Sequence, residues 1–284
     1  MSCEIGVNIV DYEFDELKIY RGVDIPITPD IMVKQPTIGQ IADFGEKRYF
    51  SAVHTLCAVG ADLKGQLNDY LGIDYTKIDD YDLFIKFTSQ VVSSKKRIYR
   101  ELKENPDRYK EELKMFTDDM LEDMLVNPLE LVLNIDIGDF VPCTDTTNNQ
   151  VVLYDTEHDV TIDRVVYMRM VEAVRRIHGL KRNNEMPGNE RTRLDLIEDA
   201  RDEAMMAAKK PYKSILKPLV SALTVKCGMV GDERIWNMPV NMFLDAIKRA
   251  NKIQDSTLLL QGAYSGFASL KDVDKNRLDW TGEL

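Results

Sequence analysis

Long apolar runs are missing from this sequence. No stretch approaches the ~20 consecutive apolar residues that a membrane-spanning helix needs, and runs such as Leu258-Leu259-Leu260 stay short. No membrane association is expected. Cysteine is scarce: Cys3, Cys57, Cys143 and Cys227 are scattered and form no CxxC pair. A disulfide framework and a zinc site therefore lack support, and a reducing compartment fits best. The three histidines, His54, His158 and His178, never stand four residues apart, which excludes a helical pair of metal ligands. There is no GxSxG, no Walker pattern and no GxGxxG, so nothing points to a catalytic residue, a bound cofactor or an enzyme. Residues 1–10 carry Cys3, Glu4 and Asn8 without a basic start, so no secretory leader is expected. Positive charge is also in deficit. Lys and Arg number 37 against 48 Asp and Glu, a net charge of -11. Such a chain repels phosphate backbones, and general nucleic-acid binding is not expected.

What is present is an ordinary globular mixture. Hydrophobic residues make up 44% and charged residues 30% of 284 positions, enough for a sizeable core in one large domain or two small ones. The periodicity predicts a mainly α fold, a multi-helix globular bundle. A short extended N-terminal arm with one or two short strands would precede it, and a small β-hairpin would be inserted near 150–162. The expected organisation is an arm over 1–35, an N-terminal helical domain over 36–140, a loop and hairpin over 141–162, and a C-terminal helical domain over 163–284.

Local signals support particular elements. Thr37 and Gln40 have capping-box spacing ahead of Ile38, Ile41, Ala42, Tyr49, Val53, Leu56 and Cys57, a helical apolar stripe. A short helix over 62–71 stops at Gly72. Asp79 caps a helix with the stripe Leu83, Phe84, Phe87, Val91 and Ile98, broken at Asn105-Pro106. Residues 107–133 read as helix again, 142–149 as loop, and 151–154 with 160–162 as the hairpin. Asp163 caps a helix ending at Gly179, and His178 would be a cation favourable to that helix end. Further helices are expected over 190–209, over 212–225 with a bend near Pro218, and from Pro239 to about 261.

The apparent chemistry has simple explanations. Asp79-Asp80-Asp82 reads as a cap with first-turn acids, because the calcium-loop glycine and terminal glutamate are absent. Asp118, Asp119, Glu122 and Asp123 read as a solvated helix face, and His54 as a packed or capping residue. Arg175, Arg176, Lys181, Arg182, Arg191 and Arg193 form the one basic concentration, with Glu185, Glu190, Asp195 and Glu198 nearby to pair with it. No aromatic side chain interleaves with it to stack on bases. The best candidates for partner binding are Arg175, Arg176, Lys181 and Arg182, together with the aromatics Tyr264, Phe267 and Trp280.

Several stretches carry a family resemblance. They are Lys34-Gln35-Pro36-Thr37-Ile38 with Phe44-Gly45-Glu46 and Tyr49-Phe50, then Gly72-Ile73-Asp74-Tyr75, Ile162-Asp163-Arg164 and His178-Gly179-Leu180-Lys181-Arg182-Asn183. Lys210-Pro211-Tyr212-Lys213-Ser214, Leu258-Leu259-Leu260-Gln261 with Tyr264-Ser265-Gly266, and Asp279-Trp280 complete the set, which spans about residues 34 to 284. The chain resembles tail-assembly chaperones and related tail morphogenesis proteins of phages and prophages of Gram-positive bacteria. That resemblance implies binding to tape-measure and tail-tube proteins in the host cytoplasm; self-association is a further candidate. The alternatives are a virion structural component of the tail, such as a baseplate or tail-completion subunit with the arm as an inter-subunit clasp, and a phage-encoded enzyme or host-directed factor.

Overall fold

The computed structural model describes residues 2–3, 14–109, 115–146, 149–228, 230–267, 269, 271 and 273–282, with side chains for all of these except 2–3, 87–91 and 118–119. The expectations for Phe87, Val91, Asp118 and Asp119 lie outside the described side chains, and residues 4–13 of the expected arm lie outside the described residues.

After a two-residue strand β1 (Ser2–Cys3), the Asp15 carboxylate accepts the Leu17 and Lys18 N–H groups and starts helix α1 (Glu16–Tyr20). Strands β2 (Ile25–Pro26) and β3 (Met32–Val33) pair antiparallel, and the turn between them closes on Thr28, whose hydroxyl accepts the Ile31 N–H at 3.0 Å. Ile19, Ile25, Ile27, Ile31 and Val33 are each no more than 3% exposed and belong to the main core. Residues 14–35 are therefore not an extended arm. Prolines 26 and 29 divide the segment into a hairpin, and the two-residue spacing of its isoleucines puts them all on the inner side.

The capping box closes as its spacing predicts: Gln40 N–H to Thr37 Oγ1 is 3.2 Å and Thr37 N–H to Gln40 Oε1 is 2.8 Å. The helix it starts is two helices, α2 (Ile38–Phe44) and α3 (Glu46–Cys57), because Gly45 sits at φ 102°, outside helical space. A 3₁₀ turn (Gly60–Leu63) leads into α4 (Lys64–Leu71), which Gly72 ends. Asp79 caps α5 (Asp80–Leu83), followed by a π-helical stretch (Phe84–Ser89) and α6 (Gln90–Glu104), with the break at Asn105-Pro106 as expected. Residues 107–133 are not one helix. Thr117 caps only the short α7 (Asp118–Asp123), and 124–133 are turns in which Asn127 Oδ1 accepts the Leu129 N–H at 2.9 Å just past Pro128. An asparagine that bonds its own backbone competes with helix continuation.

Strand β4 (Val141–Asp145) replaces the loop expected over 142–149, pairing antiparallel with β5 (Val151–Asp155). The expected hairpin joins β5 to β6 (Val160–Ile162), and β1 adds parallel to β4, giving the order β1-β4-β5-β6. Asp163 Oδ1 accepts the Val166 N–H at 2.8 Å and begins α8 (Arg164–His178), which Gly179 terminates at φ 62°. Asn189 caps α9 (Glu190–Ala208). In α10 (Leu216–Lys226), Glu46 of α3 accepts the Ile215 and Leu216 N–H groups at 2.6 Å each. Pro218 lies in the first turn of α10, where no N–H is needed, rather than in a mid-helix bend. Pro239 stands at the N-cap of α11 (Val240–Tyr264), and α12 (Lys275–Leu278) follows.

The fold is mainly α, with two small sheets. One hydrophobic core draws on residues from Ile19 to Phe243, including Ile38, Tyr49 and Leu133 on one side of the expected domain boundary and Val166, Met170 and Phe243 on the other. The segments 36–140 and 163–284 thus share a core instead of holding two. Helix α8 lies at its centre, with Val166, Met170, Ala173, Val174 and Ile177 wholly buried. Because Asp163 alone caps this helix, Asp163→Ala is expected to cost about 1 kcal/mol. Urea unfolding would read this as a lower midpoint at unchanged m-value. A smaller cluster of Val59, Ala61, Leu67, Tyr75, Leu83 and Ile197 seats α9 on α4.

Candidate partner-binding surfaces

The inner face of α8 is consumed by the core, and its outer face forms one wall of a groove whose other wall begins at α5. Tyr81 and Tyr167 line the groove, with ring centroids 5.6 Å apart, and Tyr167 stacks on Phe84 at 4.6 Å. The Tyr81 hydroxyl donates to the Ile162 carbonyl at 2.7 Å. Burial pushes both phenol pKa values above the usual tyrosine range, so neither ionises at neutral pH. Val165 and Met168 are exposed on α8 at the mouth, and the groove encloses about 760 Å³.

Arginines ring this groove: Arg164, Arg169, Arg175 and Arg182 all line it. Only the last two belong to the predicted set. Arg164 pairs with Asp79 at 2.5 Å, and Arg182 with Asp80 at 3.0 Å. Arg175 donates to the Cys57 carbonyl at 2.7 Å, tying α8 to the end of α3. Arg176 points elsewhere, paired with Glu16 and lying 4.7 Å over the Phe14 ring. Arg193 pairs with Glu190 at 2.5 Å. Lys181 and Arg191 have no side-chain hydrogen bond or ion pair among the described residues and are exposed. The basic concentration is therefore largely a set of internal ties, as its acidic neighbours suggested; Arg193 takes the expected Glu190, but the other partners differ. Asp80 and Glu16 stand more than a hundred residues away in sequence from the arginines they hold, while Glu185 pairs with Lys64. Sequence reading missed Arg164 and Arg169. Their signal was the outward face of α8, where positions 164, 165, 168, 169, 172 and 175 recur at helical spacing.

The three aromatics do not come together. Tyr264 and Phe267 sit at the tip of α11, 89% and 93% exposed. Trp280 is 52% exposed on the tail, which runs back along α11. Buried Ser256 donates to the Leu278 carbonyl at 3.0 Å, Arg277 pairs with Asp255 at 3.0 Å, and Arg249 donates to the Trp280 carbonyl at 2.6 Å. Arg249 and Ser256 precede Tyr264 by fifteen and eight residues of continuous helix, so the tail carrying Trp280 is held back along α11, away from the tip.

Two histidine expectations are corrected. His54 is exposed, so it is not packed, and of the two expected roles only the one at the helix end is left by its place in the last turn of α3. His178 is not a cation at a helix end. It is buried between α3 and α8, its Nδ1 within 2.7 Å of the Val174 carbonyl and its Nε2 within 2.6 Å of the Tyr49 hydroxyl. A carbonyl can only accept, so Nδ1 carries the proton and Tyr49 donates to Nε2. Burial lowers the His178 pKa to about 4, leaving it neutral. Burial likewise pushes the Cys57 thiol up to about 12, which makes it a packing residue rather than a nucleophile.

Among the described residues no three His, Cys, Asp or Glu side chains are grouped to hold a metal ion, and no helix is long and apolar enough to cross a membrane. The chain matches no protein-family model, no curated protein and no solved structure.

Proposed function

We propose that this protein is a phage tail morphogenesis protein of the tail-assembly chaperone class, a cofactor-free helical protein acting in the host cytoplasm. It binds a tape-measure protein and delivers tail-tube subunits. The observation that carries this reading is the tip of α11, where Tyr264 and Phe267 stand almost fully in water. An aromatic side chain left exposed forgoes roughly 1.5–3 kcal/mol of burial, and aromatic anchors of this kind dominate protein interfaces. A tape-measure protein offers long amphipathic helices, the partner such a surface accepts. The net charge of -11 keeps a holder of sticky clients in solution. Resemblance along residues 34 to 284 supplies the phage context.

The alternative, a virion structural subunit, drew support from an N-terminal clasp. Residues 14–35 are built into the protein's own core and no longer support it. Mass spectrometry of purified particles separates the two readings: a chaperone is absent, and abundance in mature particles overturns the proposal. The combined variant Tyr264→Ser, Phe267→Ser is expected to weaken binding to a purified tape-measure fragment by about a hundredfold, consistent with loss of two anchors. Its thermal midpoint should stay near that of the parent, because both side chains are already exposed. Unchanged binding would remove the tip from the interface.

A further inference from the structure

Helix α9 is packed for only part of its length. Ile197 is its one buried residue, and Gly65, Asp69 and the small cluster around Leu67 hold it on that side. Asp69 pairs with Arg201 there, at 2.8 Å to its Nε. Beyond that ion pair the helix leaves the body of the protein: every residue from 201 to 213 is exposed. Met206 is 61% exposed. It follows Ile197 by nine residues, two and a half turns, which sets it diametrically opposite the face that α4 covers. On the same outer face Asp202 and Glu203 lie one turn before Met206, while Lys209 caps the C-terminal end of the helix and Lys210 follows it.

The order acid, methionine, base is self-complementary under a two-fold axis. We infer that α9 pairs antiparallel with α9 of a second copy of this chain, centred on Met206. In that arrangement Met206 meets Met206, Glu203 faces the second copy's Lys209, and Asp202 faces the second copy's Lys210. A two-fold interface requires this kind of self-match, residue i meeting j while j meets i. The two helix dipoles also oppose each other favourably. The dipole alone accounts for lysines at the C-terminal end, but not for an apolar side chain set between them and a matching pair of acids on the outermost face. The paired surface is small, which places the dimer at the weak end of specific association, in the micromolar range.

Sedimentation velocity across a concentration series tests this. The parent protein should shift from monomer to dimer with rising concentration, and more readily at low salt. Met206→Asp should weaken association at least about tenfold. The double variants K209E/K210E and D202K/E203K should each remain monomeric, since each sets like charges face to face. Mixed in equal amounts, these two variants should form a heterodimer, because all four charge contacts become favourable again. That restoration cannot come from a folding defect. A parent that stays monomeric at millimolar concentration, a dimer indifferent to the charge reversals, or a mixture that does not associate would each overturn the proposal.

Discussion

Deleting residues 1–35 should abolish folding. The segment supplies Ile19, Ile25, Ile27, Ile31 and Val33, all at most 3% exposed, to the core shared by the whole chain. Each such side chain contributes roughly 1.5–3 kcal/mol of burial, so five of them represent on the order of 10 kcal/mol, comparable with the 5–15 kcal/mol total stability of an ordinary domain. Backbone bonds would also be lost: Lys34 N–H to the Val132 carbonyl at 2.8 Å, and the Met32 N–H to Asn134 Oδ1 at 2.6 Å. These tie the segment to the turns that replace the expected helix over 124–133. The truncated chain should be insoluble or lack a cooperative thermal transition by near-ultraviolet circular dichroism. A partner-dependent arm would behave differently, leaving a fully folded remainder. The single substitution Ile31→Ala is the gentler version, expected to cost about 3 kcal/mol.

Acid should destabilise the protein before its carboxylates titrate, and His178 should be the reason. Its pKa is about 4 when folded, against the ordinary histidine value of 6.5 in the unfolded chain. Between those values the unfolded chain binds the proton and the native state does not, so stability rises with pH across the window. The contribution is therefore complete above pH 6.5 and lost as pH falls toward 4, a change of about 3 kcal/mol at 1.36 kcal/mol per unit. His158 opposes it in direction: the Asp155 carboxylate at 2.7 Å raises its pKa, a contribution present below pH 6.5 and lost as pH rises through the folded value. His158 is exposed, so solvent screening keeps that effect small. Urea midpoints measured from pH 8 to 4 should fall on the acid side in the parent, and the fall should flatten in His178→Gln. The same slope in both proteins would assign the effect elsewhere. Tyr49→Phe should cost about 1–3 kcal/mol at neutral pH, because it leaves Nε2 buried without its donor.

What could be read in advance was what depends on near neighbours in sequence. The Thr37–Gln40 box, the Asp79 and Asp163 caps, the stops at Gly72 and Gly179 and the hairpin around 155–159 are each decided within a few residues. What was misread depends on distant partners. Nothing near Val33 and Lys34 announces that Leu133 and Val132 will pair with them. His178 looks like a helix-end cation until Tyr49 closes over it from α3. The acids beside the basic concentration indicated pairing, yet Arg182 and Arg176 found Asp80 and Glu16 across the fold. The partner candidates divided for the same reason. Arg175, Arg176 and Arg182 hold the protein together, while Tyr264 and Phe267 remain in water.

The most direct test of the chaperone account is affinity capture of this protein from cells in which it is produced together with phage tape-measure and tail-tube proteins, with the co-purifying proteins quantified by mass spectrometry. The account predicts strong enrichment of the tape-measure protein or tail-tube subunit, lost with Tyr264→Ser, Phe267→Ser. Capture of neither tail protein, under conditions where both are abundant in the lysate, would contradict it.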